Sequence, residues 1–232
     1  MSTIYKYIKL PLGFDADAML HEVRSLADVW LPHYNERDYS GEWKAILLRS
    51  AGGSLTNALP QQTTGTEFKD TALMQQCPVI KNAVDSLLCD KTAIRVLNLR
   101  AGATVKEHSD PGLCYEDGEV RLHIPLVTNS QVDFYIGGEN LTPQPGECWY
   151  MNFELPHSLS NCGSTDRIHL VIDCIVNDWV HDLFASANEG NIKKIPAPEK
   201  FTDNDKRLII EQLRNIGTET ALALAKDMEN NF

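Results

Sequence analysis

Along residues 17–31 apolar side chains recur at helical spacing. Met19, Leu20, Val23, Leu26, Ala27 and Trp30 fall on one stripe, with Asp15 or Asp17 placed to cap it. The run KAILLRS at 44–50 reads as a strand closed by Gly52-Gly53, and residues 52–66, rich in Gly, Thr, Asn and Gln, read as a loop. Residues 69–90 predict one helix or two, with Pro78 as a break or a new start. From 92 to 178 the pattern changes. Six short β-branched runs (AIRVLNLR, TVKEHS, VRLHIPLV, QVDFYI, ECWYMN and RIHLVIDCIV) alternate with Gly, Pro, Asn and Asp turns. Beyond 203 helical spacing returns: Leu208, Ile209, Leu213 and Ile216 form a stripe. Gly217-Thr218 then supplies a stop and a fresh N-cap for 219–228. The pattern predicts a mainly β protein with flanking α. It has one domain over 1–232, with a sandwich or barrel core at 92–178 and helical and strand flanks at 1–91 and 179–232.

Alternation inside the strands sorts the side chains by face, because a strand repeats every two residues. In VRLHIPLV, Val120, Leu122, Ile124 and Leu126 share one face, and Arg121 and His123 share the other. In RIHLVIDCI, Ile168, Leu170, Ile172 and Cys174 oppose Arg167, His169, Val171 and Asp173. A polar face of this kind either meets water, as in most half-buried sheets, or lines a cavity.

The stretch TVKEHSDPG bears on that choice. His108 and Asp110 lie two residues apart at the end of a strand, so both project to one side. His157, in ELPHSLSN, is a third candidate ligand. Two imidazoles and one carboxylate on a rigid scaffold form a facial triad with open positions, which suits non-haem Fe(II). Zinc more often takes a fourth protein ligand or a single water. Arg167, ten residues after His157 on the next strand, could stand across the pocket. A dicarboxylate such as 2-oxoglutarate that chelates iron through its keto-acid end needs a bidentate partner for its far carboxylate, which Arg supplies better than Lys.

Bulk properties limit the partners. The chain has 232 residues, 43% hydrophobic content and a formal net charge of -11, so neither nucleic acid nor an anionic membrane surface is the expected partner. A small anion needs only a local positive pocket. No run approaches transmembrane length and the N-terminal stretch lacks a signal-peptide core, which leads to a cytoplasmic expectation. The six cysteines form no CxxC pair and read as free thiols.

The blocks HSDPG, RLHIPLVTN and PGECWYMNFELPHSLSNCGSTDRIHLVID, in that order over roughly residues 92–177, resemble the aspartyl/asparaginyl β-hydroxylase family. The resemblance implies a double-stranded β-helix core, a cupin-like jelly roll, and an Fe(II)- and 2-oxoglutarate-dependent dioxygenase that consumes O2. It implies His108, Asp110 and His157 as iron ligands and Arg167 as the holder of the far carboxylate of 2-oxoglutarate. His123 would lie near the metal-proximal end of the cosubstrate. Arg121 would face the cosubstrate or an acidic group of the substrate. Trp149 would wall the pocket or belong to the core. Family members that act on protein substrates have Gly in place of the acid kept here as Asp110. The implied reaction hydroxylates an unactivated C–H of an amino acid or amino-acid side chain, with succinate and CO2 as co-products. A small-molecule substrate is expected, with a peptide or carrier-bound residue left open because 52–66 and 112–119 could form a wide mouth. The competing reading is a non-catalytic or zinc-binding cupin-like protein that binds a small acid. His169 and His181 are read as structural or exposed, and Asn161 as a turn residue. Arg100 is placed in the pocket or on its rim. His21 and His33 are placed in or near a surface helix. Oligomeric state is unread.

Overall fold

The computed structural model describes residues 2–35, 37–58, 67–197 and 203–230. The loop expected at 52–66 lies outside the described residues from 59 onward. Fourteen strands are present among the described residues: β1 (Thr3–Gly13), β2 (Leu31–Pro32), β3 (Tyr39–Ser40), β4 (Trp43–Ala51), β5 (Phe68–Asp70), β6 (Lys91–Leu99), β7 (Thr104–His108), β8 (Glu119–Val127), β9 (Val132–Ile136), β10 (Glu139–Leu141), β11 (Glu147–Met151), β12 (His157–Asn161), β13 (Arg167–Ile175) and β14 (Ile192–Pro196). The helices are α1 (Ala16–Ser25), α2 (Pro78–Asp85), α3 (Asp178–Ala185), α4 (Asp203–Ile216) and α5 (Glu219–Asn230).

Residues 3–195 form one compact unit. Its strands make two sheets. The larger runs β14-β1-β11-β8-β13-β6-β4-β2, with β5 beside β4, and the smaller runs β10-β9-β12-β7-β3. From β6 to β9 and again from β10 to β13 the chain alternates between the two sheets, as a double-stranded β-helix requires. The β framework is wider than 92–178, because β1 and β4 extend the larger sheet on both sides of its centre.

Strand alternation decides what each face of the larger sheet covers. Val120, Leu122, Ile124, Ile168, Leu170, Ile172 and Cys174 join Met19, Leu20 and Val23 of α1, Ile80 and Val84 of α2, and Val180 and Phe184 of α3 in one apolar cluster. The opposite face meets the smaller sheet through Leu47, Leu97, Leu99, Val105, Phe134, Leu159 and Val171. Both faces are thus buried, so Arg121, His123, Arg167, His169 and Asp173 look into the molecule. Burying each Leu or Ile on the helix-covered face is worth about 1.5–3 kcal/mol, enough to fix the register against a one-residue slip.

Local chemistry sets the helix ends. Asp15, rather than Asp17, accepts the backbone N–H of Ala18 at 2.9 Å and caps α1. Pro78 occupies the first turn of α2. The buried Glu22 of α1 accepts the N–H groups of Val79 and Ile80 at 2.7 and 3.0 Å, placing a carboxylate on the positive end of α2. All six cysteines are free, and all but Cys162 are buried.

The described residues from 196 to 230, with Ser2, form the second unit. Gly217, at φ +68°, ends α4, and Thr218 accepts the N–H of Ala221 at 3.2 Å to start α5. None of the described helices is long and apolar enough to cross a membrane.

Candidate active site

Strands β7 and β12 pair antiparallel, and their register sets His108 opposite His157. The imidazole centroids lie 4.2 Å apart. Asp110 follows β7, anchored by its backbone N–H to the carbonyl of Phe153 at 2.9 Å. One ligand atom from each of His108, Asp110 and His157 lies within 4.8 Å of the other two.

Each imidazole is oriented by the carbonyl two residues before it in the chain. Nδ1 of His108 lies 2.8 Å from the carbonyl of Lys106, and Nδ1 of His157 lies 3.0 Å from that of Leu155. A carbonyl only accepts, so Nδ1 carries the proton in both rings and Nε2 keeps its lone pair for a ligand. Nε2 of His108 faces Oδ1 of Asp110 at 3.9 Å. Burial, with the His108 ring alongside and the Leu155 carbonyl opposing, pulls His157 down to about 4, which keeps it neutral.

Behind this cluster is a cavity of about 590 Å³, its open mouth included. His123, Arg121 and Arg167 line it as the strand faces require, joined by Phe134, Phe153 and Leu159. Arg167 is almost completely buried, its guanidinium carbon 4.9 Å from the centre of the Phe134 ring. Desolvation lowers its pKa to about 9. His123 is stacked on Phe153 at 5.0 Å, and its Nδ1 lies 3.3 Å from Nδ1 of His169. Burial, then the nearby Arg167 and Arg121 charges, lowers its pKa far below the usual histidine range.

Three observations test this cavity as a ligand site. First, six buried polar side-chain atoms among the described residues lack a hydrogen-bond partner: Trp43 Nε1, Arg95 Nε, Asn98 Oδ1, His123 Nε2, and Nε and Nη2 of Arg167. All but the Asn98 oxygen belong to side chains that line the cavity. An orphaned buried donor costs about 1–3 kcal/mol, so their concentration here marks a place shaped for a polar occupant. Second, three guanidinium groups, of Arg95, Arg121 and Arg167, share the lining or its rear with two carboxylates, Asp110 and Asp173. Third, two imidazoles and a carboxylate with ligand atoms converging are the donor set of a divalent transition metal with open positions.

Some side chains stand apart from the sequence expectations. Trp149 is not among the cavity-lining residues; its indole N–H donates to Glu147 at 2.9 Å and its ring meets Tyr7 at 6.0 Å. Arg100 is half exposed and bridges Glu42 and Asp166 in a different groove. Asn161 holds a turn through Leu99 and Thr165, as expected. His33, expected in or near a surface helix, is instead 5% exposed, stacked on Trp43 at 3.5 Å and part of the cavity wall. The chain leaves α1 earlier than the apolar stripe suggests, so His33 follows β2 and turns inward. Sequence reasoning also missed Arg95, Tyr34, Asn35 and Trp43. Only Arg95 left a trace, an Arg on a strand face otherwise filled by Ala93, Leu97 and Leu99.

The family model described as Aspartyl/Asparaginyl beta-hydroxylase matches residues 15–176. The L-proline cis-4-hydroxylase of Rhizobium meliloti (strain 1021) is 28% identical over 136 residues, covering 57% of this chain and 48% of that protein. The chain therefore spans about half the length of this curated relative. An oxidoreductase of the 2OG-Fe(II) oxygenase family from Burkholderia pseudomallei is 12% identical over 73% of this chain and 85% of its own, with a TM-score of 0.48. A Pseudomonas putida prolyl-4-hydroxylase is 14% identical over 75% and 94%, with a TM-score of 0.43. Likenesses this loose carry no chemistry. The match over residues 15–176 takes in the site and most of the β framework, and by it the chain belongs to the aspartyl/asparaginyl β-hydroxylase family.

Proposed function

We propose that this chain is an Fe(II)- and 2-oxoglutarate-dependent hydroxylase whose substrate is an amino acid or an amino-acid side chain. The observation that carries the reading is the convergence of His108, Asp110 and His157 within 4.8 Å at a cavity whose wall holds the unpartnered guanidinium of Arg167. When bound, iron and the oxoacid would supply the oxidising chemistry, one atom of O2 going into the substrate C–H and the other into succinate as CO2 leaves.

The chain's own residues bind, orient and exclude water. His108 and His157 present Nε2, and Asp110 presents Oδ1, to the ferrous ion. Arg167, dry and backed by Phe134, offers its Nε and Nη2 donors to the far carboxylate of 2-oxoglutarate. His123, neutral and packed on Phe153, offers Nε2 nearer the metal. Phe134, Phe153 and Leu159 keep the space between apolar.

Charge balance favours a substrate carboxylate. Three guanidinium groups against two carboxylates leave one positive charge. A divalent cation and the dianionic cosubstrate cancel each other and leave it standing. Arg95, with its Nε unpartnered, and His33, Tyr34 and Trp43 line the same cavity and offer a place where the carboxylate of an amino acid could dock. The L-proline cis-4-hydroxylase relative supports a substrate of this class.

The test is a screen of free amino acids and short peptides for succinate formed in step with a product heavier by one oxygen. One or more should respond. Arg167→Ala should then raise the 2-oxoglutarate KM about 10- to 100-fold, the loss of a charge-assisted pair. Succinate formation without any oxygenated product across the screen, or an unchanged KM in Arg167→Ala, would contradict the assignment.

A further inference from the structure

Asp173 lies on β13 of the larger sheet, whereas His108 and His157 belong to the smaller one, and its side chain is 1% exposed. Strand register explains its company. Asp173 of β13 is directly opposite Arg121 of β8. Arg121 grips it with both sides of its fork: Nε donates to Oδ1 at 2.6 Å and Nη2 to Oδ2 at 3.1 Å. Arg95 of β6 donates Nη2 to the same Oδ2 at 2.6 Å. Two of the three arms of the Arg121 guanidinium are thus committed to a buried anion. The group is planar, so its third arm has only one direction left. Along that direction Nη1 donates to Oδ2 of Asp110 at 2.8 Å.

The consequence falls on Asp110. Its side chain is 30% exposed and sits on the loop that leaves β7, where nothing in strand geometry holds the carboxylate. With Oδ2 taken by Arg121, only Oδ1 is turned toward the imidazoles, 3.9 Å from Nε2 of His108. A carboxylate free to rotate could instead present both oxygens and fill a second coordination position.

We infer that Asp173 is a positioning residue for the metal site: through the fork of Arg121 it aims Asp110 so that the ion receives one oxygen and the neighbouring positions stay open. Asp173 touches neither the metal nor the substrate. The chain Asp173–Arg121–Asp110 converts a buried ion pair between two strands into the orientation of a ligand on a loop. Outer hydrogen-bond partners of this kind typically contribute about 10- to 100-fold to metal affinity. The inference rests on the reading of Asp110 as a metal ligand.

The experiment is a double-mutant cycle read by anaerobic Co(II) titration, which needs neither cosubstrate nor turnover. Asp173→Asn should weaken Co(II) binding about tenfold and change the visible Co(II) absorption, which reports coordination number. In an Asp110→Ala background the same substitution should add less than about twofold, because the residue it acts through is gone. Arg121→Lys keeps the charge but not the fork, and should weaken binding by a similar factor with the same dependence on Asp110. It stands in if Asp173→Asn does not fold. Equal losses in both backgrounds, or no loss, would overturn the inference while leaving the metal site intact. Unmodified protein that binds no Co(II) would overturn the metal reading and this inference with it.

Discussion

At the scale of single residues, burial keeps His33, His123 and His157 neutral and Arg167 dry. His33 is an example outside the metal cluster. Burial, then the charges of Arg95 and Arg121, lowers its pKa to about 2. The unfolded chain would take up a proton near the ordinary value of 6.5, while the fold does not. The unfolded state therefore binds more protons below that pH. The stabilisation is complete above about 6.5 and declines as pH falls, by up to about 1.4 kcal/mol per pH unit for one proton. Replacing His33 with Gln should make stability, measured by denaturant unfolding between pH 6 and 4, shallower in pH by about that slope. An unchanged slope would mean that His33 is protonated in the fold. The residues that could be read beforehand were those whose spacing is local. His108 and Asp110 declare themselves two positions apart, whereas Arg95 has apolar neighbours on its own strand face and acquires its meaning only from Asp173, 78 residues away. Asp173 was legible as a polar-face residue and no further, since its partners come from two other strands.

At the scale of elements, alternation carried most of the fold. The six runs between 92 and 178 are all strands, and β4, α2, α4 and α5 lie where the spacing put them. Strand β1 escaped notice for a physical reason. Its buried face begins with Lys6, whose ammonium reaches the Gly137 carbonyl and Glu139 at 3.0 and 3.1 Å, so a charged residue interrupts the apolar pattern that Ile8 and Leu10 continue. Its exit is fixed by a tight approach. The Gly146 carbonyl accepts the N–H of Phe14 at 2.8 Å, and the Gly146 N–H donates to Pro125 at 3.0 Å. Gly146 has φ +81°, and a Cβ there would stand 2.5 Å from the Phe14 oxygen. Gly146→Ala should therefore cost about 1–3 kcal/mol of unfolding free energy in denaturant melts, by backbone strain and by parting β1 from β11. A loss below about 0.5 kcal/mol would show that this junction yields without cost.

At the scale of the whole molecule, the net charge of -11 argues against polyanions as main partners and says nothing about the cavity, where positive groups outnumber negative ones. Composition averages over a surface that the sheets turn outward; the site is made of what they turn inward. The fold uses its two sheets unequally. The smaller sheet brings His108 and His157 together through the β7–β12 register, and the larger one supplies Arg121, His123, Arg167 and Asp173 from β8 and β13. Stability is shared in the same way, since the polar interior of the larger sheet is backed by the apolar cluster under α1, α2 and α3. The central claim is that this interior holds one ferrous ion by three side chains and leaves room on it for an oxoacid. Anaerobic absorbance titration measures that directly. Adding Fe(II) and then 2-oxoglutarate should produce a weak visible charge-transfer band that saturates at one equivalent of each and is absent in His157→Ala. No band in the unmodified protein, or an equal band in His157→Ala, would contradict it.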